Sequence, residues 1–151
     1  MSLMKPFASI PATSAEALEK IDDVQSKLLA AEQIDLATEH ILHGGMYSRT
    51  IRLQPGVIIT GALIKIPTML IFKGHADVLL GDEWVEMNGS CVICGSAGRK
   101  QVFVTRSETE LTMIFPTKAK TVEEAEAEFT DEAGRLMSRR STRDVVVITG
   151  E

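Results

Sequence analysis

Three histidines, two cysteines and one basic run are the residues whose spacing bears on chemistry. His40 and His43 stand three apart near the end of a stretch, from about Asp35 to Leu42, that reads as a short helix. On one helical face that spacing can chelate a metal, yet two imidazoles without a third ligand make a weak site. The same pair can cap a helix C-terminus, where positive charge is favoured. His75 joins them only if this helix packs over a turn at Gly74. Cys91-Val92-Ile93-Cys94 is a C-x-x-C pattern, which in redox proteins opens a helix that lowers a thiol pKa. Here it falls on a predicted strand, where residues three apart face opposite sides. No second pair completes a zinc site or a disulfide framework. Two small buried or half-buried side chains are the plainer expectation. Three histidines among many acids specify no nucleophilic triad. Gly95-Ser96-Ala97-Gly98 lacks the ending of a phosphate loop.

The elements that must position these residues fall into three parts. Residues 1–45 form an N-terminal helical arm. After Pro6 and Pro11, Thr13-Ser14-Ala15-Glu16 reads as a capping box. Leu18, Ile21 and Leu28 then recur at helical spacing, with charges opposite, so the helix needs a surface to lie on. Gly44-Gly45 reads as the stop of the second helix. Residues 46–116 are strand and turn: Met46 to Leu53, Val57 to Leu63, Met69 to Lys73, Ala76 to Leu80, Glu83 to Met87, Ser90 to Cys94, Lys100 to Thr105 and Glu110 to Phe115. Gly74, Gly81-Asp82 and Asn88-Gly89 punctuate them. Many short strands with glycine turns predict a barrel or sandwich. Residues 117–151 hold a helix from Thr121 to about Arg140, acidic early and basic late as the helix dipole favours. An apolar run follows, Val145-Val146-Val147-Ile148, which should pair with this barrel or with a neighbouring copy.

Composition narrows the function classes. The chain has 151 residues, 44% hydrophobic and 25% charged, enough for one domain with a real core. Its formal net charge of −5 argues against general nucleic-acid binding. Val57 to Phe72, the most apolar stretch, is broken by Gly61, Lys65 and Pro67 and is too short to span a bilayer. Met1 to Ala12 lacks the long apolar core of a signal peptide, so synthesis in the cytoplasm is expected.

From Gly45-Met46-Tyr47-Ser48-Arg49 through Phe115 the order of features resembles small cupin-like proteins of tailed phages and prophages. Tyr47-x-Arg49 precedes a strand and a Pro55-Gly56 turn. Thr60-Gly61, the Gly74 turn, a hairpin, an Ala97-Gly98 turn with Lys100, and a last strand follow. The resemblance covers about half of the chain, roughly Leu42 to Pro116, and no single motif in it is specific. It implies a mainly β fold, a single cupin-like jelly-roll barrel with flanking N-terminal and C-terminal helices. Metal-binding cupins point histidines and a glutamate into the barrel, leaving a coordination position for substrate. This sequence departs from that pattern. Ile64 stands at the first histidine position, Pro67 and Thr68 at the glutamate and next histidine, and Gln101 at the last. The resemblance therefore implies a degenerate pocket of Thr60, Ile64, Pro67, Thr68, Gln101 and Phe103, with no catalytic residues, no metal and no cofactor.

Two functions follow as expectations. The first is a non-enzymatic, metal-free structural protein of a tailed phage or prophage: a head decoration, connector or tail-associated virion component. It would act by homo-oligomerisation and by contacts with other virion proteins, without general nucleic-acid binding and without a membrane. Leu18, Ile21, Leu28 and Val145, Val146, Val147 and Ile148 would supply the contacts, and Arg139-Arg140 with Arg143 would meet acids of a neighbouring copy. The second is a soluble cupin enzyme or small-ligand binder with an unconventional pocket. Arg99-Lys100-Gln101, together with Arg49 and Arg52, can form a small anion site at the barrel mouth, although surface charge explains the run as simply. A polar, accessible cavity would favour this second function, and an interior filled by Ile, Leu and Val would count against it.

Overall fold

The computed structural model describes residues 8–31, 33–139 and 141–151. Met1 to Phe7, Glu32 and Arg140 lie outside the described residues, and with them the Pro6 opening and one arginine of the basic cluster. Strand β1 (Ala8–Ile10) leads into helix α1 (Ala15–Leu29). Strands β2 (Thr38–His43), β3 (Met46–Leu53), β4 (Ile58–Thr60), β5 (Thr68–Leu80), β6 (Glu83–Gly95), β7 (Val102–Thr105) and β8 (Thr109–Pro116) follow. Helix α2 (Val122–Phe129) and strand β9 (Val145–Ile148) close the chain. One sheet path runs β1-β6-β5-β8-β3-β2-β9, and β7 joins both β4 and β5 away from that path.

The wall curves through β5. Met69 to Lys73 pair with β8, whereas Ala76 to Leu79 pair with β7, so one strand serves two faces of the barrel. Gly74 stands between these registers with φ of +145°, and a Cβ there would lie 2.6 Å from the Thr109 Cα. A position needing positive φ and such close approach admits only glycine. The sequence reads Gly74 and Asn88-Gly89 as turns. Instead, β5 and β6 pair without interruption from Thr68↔Gly95 to Leu80↔Glu83. Glycine in a strand can mark a bend or a close approach as well as a turn.

The expected helix at Asp35 to Leu42 is not formed. Thr38, His40 and Leu42 are buried in alternation with half-buried Glu39 and Ile41, the period of a strand, and β2 pairs with β3 along its whole length. Gly44 and Gly45, with φ of +59° and +73°, form a two-residue hairpin turn rather than a helix stop. The sheet thus reaches beyond residues 46–116 on both sides. It takes in β1 against β6 and β9 against β2, both parallel.

The helices flank the barrel. Ser14 caps α1, its Oγ accepting from Ala17 N at 3.1 Å, and Ile21 is buried against Leu79 and Val102. The surface that α1 needs is therefore its own barrel. Thr121 caps α2, accepting from Glu124 N at 3.2 Å. The expected helix to Arg140 ends at Phe129, where Thr130 turns extended, and two 3-10 turns, Ala133–Arg135 and Met137–Arg139, replace its second half. Phe129 is buried and packs with Tyr47 and Phe115 at ring-centroid distances of 6.4 and 6.0 Å. The mainly β architecture and its flanking helices agree with expectation. Among the described residues, no helix is long and apolar enough to cross a membrane.

Candidate functional site: a buried arginine in the barrel cavity

The Ala97-Gly98 turn delivers Arg99, Lys100 and Gln101 in an extended run, so their side chains alternate between two sides of the wall. All three residues are buried. Lys100 points outward beneath α1. Its Nζ donates to Asp22 Oδ1 at 3.0 Å, Gln25 Oε1 at 2.9 Å and Glu132 Oε1 at 3.4 Å. That charge is fully partnered. Arg99 and Gln101 instead line a cavity of about 170 Å³ inside the barrel. Apolar walls come from Ile51, Ile64, Leu70, Phe103, Leu111 and Met113.

Arg99 is 2% exposed and has no carboxylate within ion-pair distance among the described residues. Its Nη1 donates to Ser96 O at 3.0 Å, and its Nη2 to Thr68 Oγ1 at 2.6 Å with Met113 Sδ at 3.9 Å. All three acceptors are neutral. Burial pulls the guanidinium down from 12.5 to about 10, and no opposite charge pushes it back. It stays charged at neutral pH, and an unpaired buried charge costs several kcal/mol, of order. Gly95 makes room for it: a Cβ there would lie 2.5 Å from the Arg99 Cζ.

Other polar groups converge on the same space. Thr60 Oγ1 is a buried side-chain oxygen without a hydrogen-bond partner, and Thr60 lines the cavity. Such orphaned groups are rare in native interiors and call for an explanation. Arg49, Glu132 and Arg135 also line the cavity. Glu132 is occupied by Lys100, Leu63 N and Arg135 at 3.4, 3.1 and 3.8 Å. Arg49 donates to Glu126 Oε2 at 3.0 Å and to Ser138 Oγ at 3.1 Å. Glu126 also accepts from Arg139 Nε at 2.6 Å. Burial alone would raise the Glu126 carboxyl, but hydrogen bonds from Ser138 and Arg139 and the Arg49 charge carry it below the usual range. Among the described residues, Arg99 is thus the cavity cation without a protein anion.

The structure sorts the expected site residues. Thr60, Ile64, Gln101 and Phe103 line the cavity. Thr68 is buried and accepts a hydrogen bond from Arg99, and Pro67 is exposed and not among the residues that line the cavity. Of the expected anion site, Arg49 and Arg99 meet at the cavity. Arg52 lies outside, paired with Glu39 and Glu110 at 3.2 and 3.4 Å. Surface charge, the simpler expectation for the run, is overturned because Arg99 and Lys100 are interior. Alternation across 99–101 after the glycine turn was the available signal.

Other expectations shift too. Ile21 is 0% exposed within the chain, so it is no partner contact, whereas Leu18 and Leu28 are half-buried. Arg139 pairs with Glu126 and Arg143 with Asp35 of the same chain. Val145 to Ile148 are all exposed. Cys91 is half-buried and Cys94 exposed, on opposite faces of β6, so the expectation of two at least half-buried thiols fails at Cys94. His40, on a strand, lies 2.7 Å from the Tyr47 hydroxyl and 3.1 Å from Asp144 Oδ2, and the exposed His43 has its Nδ1 2.7 Å from Thr149 Oγ1. His75 faces Glu86 at 3.3 Å.

A barrel of this kind raises the question of a metal. At the positions where the sequence resemblance places ligands stand Ile64, Pro67, Thr68 and Gln101, two without any side-chain donor and one already bonded to Arg99. A buried guanidinium on the same wall also opposes a divalent cation. The residues do not fit a metal, and among the described residues no three His, Cys, Asp or Glu side chains group to hold one.

No family model matches this sequence, and no curated protein matches it. The chain is similar to several solved structures. One is a cupin superfamily protein from Desulfitobacterium hafniense, with TM-score 0.46, 11% identity, 62% of this chain and 87% of that chain covered. Another is the Cupin_2 domain of an XRE family transcriptional regulator from Enterobacter cloacae, with TM-score 0.44, 11% identity, and 55% and 99% covered. A third is a Cupin 2 conserved barrel domain protein from Salinispora arenicola, with TM-score 0.44, 13% identity, and 74% and 88% covered.

Proposed function

We propose that this chain is a metal-free binding protein whose barrel holds a small organic carboxylate without converting it. The observation that carries this reading is Arg99: a buried, charged guanidinium bonded only to neutral acceptors, at the wall of a cavity. A carboxylate there would pair the charge, and charge-assisted bonds from a guanidinium fork to a carboxylate are strong. Thr60 Oγ1 and the Gln101 amide would supply further polar contacts. Among the described residues that line the cavity, no nucleophile stands beside a free general base, since Glu132, the carboxylate among them, is held by Lys100. This reading moves ahead of the structural one because the apolar core leaves a cavity that Arg99, Gln101 and Thr60 line. Isothermal titration with butanoate tests it. Saturable binding that is lost with butanamide and with Arg99→Met supports it. Equal binding of acid and amide, or retained binding in the variant, overturns it.

The second reading is a structural one: a virion component acting through contacts between copies and with other virion proteins. The observation that favours it is β9, which pairs with β2 along one edge while Val145, Val146, Val147 and Ile148 stay 43–53% exposed. An apolar strand with an open edge can add to a neighbour's sheet.

A further inference from the structure

The cavity that Arg99 lines has a neighbour. A second hollow, a groove of about 320 Å³, lies between the C-terminal end of α1, β4 and the turns after α2. The two spaces share Gln25, Leu36, Ile59, Thr60, Arg135 and Met137 as a common wall. Arg99 lines only the inner one. Large apolar side chains stand exposed in the outer groove beside polar ones. Leu29, Ile34 and Ile58 line it and are 48–50% exposed. Of the described residues lining the groove, only Arg135 carries a charge. Exposed apolar side chains scattered singly need no explanation, but three of them in one concave lining offer a surface that an apolar chain could cover.

Resting on the carboxylate reading above, we propose that the ligand is an elongated, apolar carboxylate of the medium-chain fatty-acid class, its head held by Arg99 in the barrel and its tail lying along the groove at Leu29, Ile34 and Ile58. The inner space holds the head and its first carbons against Ile64, Leu70 and Phe103. The chain passes the Thr60 and Met137 wall and covers the exposed side chains outside. Met at such a neck fits a variable chain, because its unbranched thioether adapts its shape. One cation unpaired among the described residues suits a singly charged head. A phosphate, carrying nearly two charges, would ask for more donors than this wall offers.

The test is titration calorimetry with butanoate, octanoate and decanoate, below their micelle concentrations, on the full chain. The wild type is compared with Arg99→Met and with the doubly substituted Leu29→Gln/Ile34→Gln, whose sites are exposed and so tolerate polarity. Affinity should rise from butanoate to decanoate by up to about fourfold per methylene that reaches the groove, the fold-change that corresponds to about 0.8 kcal/mol per buried CH₂. The groove variant should keep butanoate affinity and lose most of this rise. Arg99→Met should weaken every acid at least tenfold. Equal affinity for butanoate and decanoate in the wild type, or an undiminished rise in the groove variant, overturns the proposed ligand class and leaves the carboxylate site standing. Failure of all three acids to bind overturns both.

Discussion

The Arg99 guanidinium lies directly against the backbone of Gly95, so closely that a single methyl at 95 would sit 2.5 Å from Cζ. Four residues apart across the Ser96-Ala97-Gly98 turn, the two positions define the cation's place in the cavity. Gly95→Ala should therefore displace Arg99 rather than merely fill space. We expect butanoate affinity to fall at least tenfold and stability to drop by about 1–3 kcal/mol, as for overpacked sites. Calorimetric titration together with urea unfolding checks both. Unchanged affinity would mean that the guanidinium's position does not matter for binding.

Removing Arg99 should separate binding from stability. A buried charge without a counter-ion is a burden on the free protein, and an apolar replacement of similar length is often neutral or stabilising. Arg99→Met should leave the ligand-free protein as stable as wild type or up to about 2 kcal/mol more stable. A loss of more than about 2 kcal/mol in urea unfolding would show that Arg99 is kept for structure, through Ser96 O and Thr68 Oγ1, rather than for a ligand.

Gly74 should be intolerant for a different reason. It has φ of +145° and backbone of Thr109 within 2.6 Å of a would-be Cβ, at the point where β5 changes partner. Gly74→Ala should cost more than about 2 kcal/mol, since strain and steric conflict add. Equilibrium unfolding would show this as a lower midpoint, and an unchanged midpoint would mean that β5 crosses the barrel by another route.

Glu126 sets an acid limit. Its folded-state carboxyl is held below the ordinary 4.5, so the folded protein binds fewer protons than the unfolded chain near that pH. The stabilisation is fully present above about 4.5 and is lost as pH falls through the lower folded value. Glu126→Gln should lower stability at neutral pH and flatten its decline below pH of about 4.5. If unfolding free energies of wild type and variant decline in parallel from pH 5 to pH 3, the Glu126 network with Arg49, Ser138 and Arg139 is not responsible.

Deleting Asp144 to Glu151 tests the structural reading. Asp144 Oδ1 accepts from Thr38 N at 2.9 Å, and its Oδ2 lies 3.1 Å from His40 Nε2, pinning β9 to β2. If β9 also joins copies, the truncated chain should show a lower mass at low concentration by sedimentation. An oligomer of unchanged mass would remove β9 as an assembly element.

Much of this molecule was legible from period and turn chemistry. The strand read from Met46 to Leu53 is β3, and the Thr13-to-Glu16 capping box and the acidic turn after Thr121 gave both helix starts. What was not legible depended on partners distant in sequence. His40 looks helical until β3 pairs with it across the Gly44-Gly45 hairpin, and Gly74 looks like a turn until Thr109 crowds it. The candidate site was half visible. Thr60, Ile64, Gln101 and Phe103 follow from a resemblance, but Arg99 announces itself only by burial. A basic residue beside a glycine turn reads as surface charge until a wall closes around it, and nothing local distinguishes Arg99 from Lys100 except the alternation that aims them apart.

The most direct test of a carboxylate site is the Arg99 side chain itself, followed as its Nε–H resonance by ¹⁵N NMR during titration with butanoate. The site described here predicts a saturable shift of that resonance, together with changes at Thr60 and Gln101, and no such shift with butanamide. An Arg99 resonance unmoved at saturating acid, while resonances elsewhere respond, would contradict it.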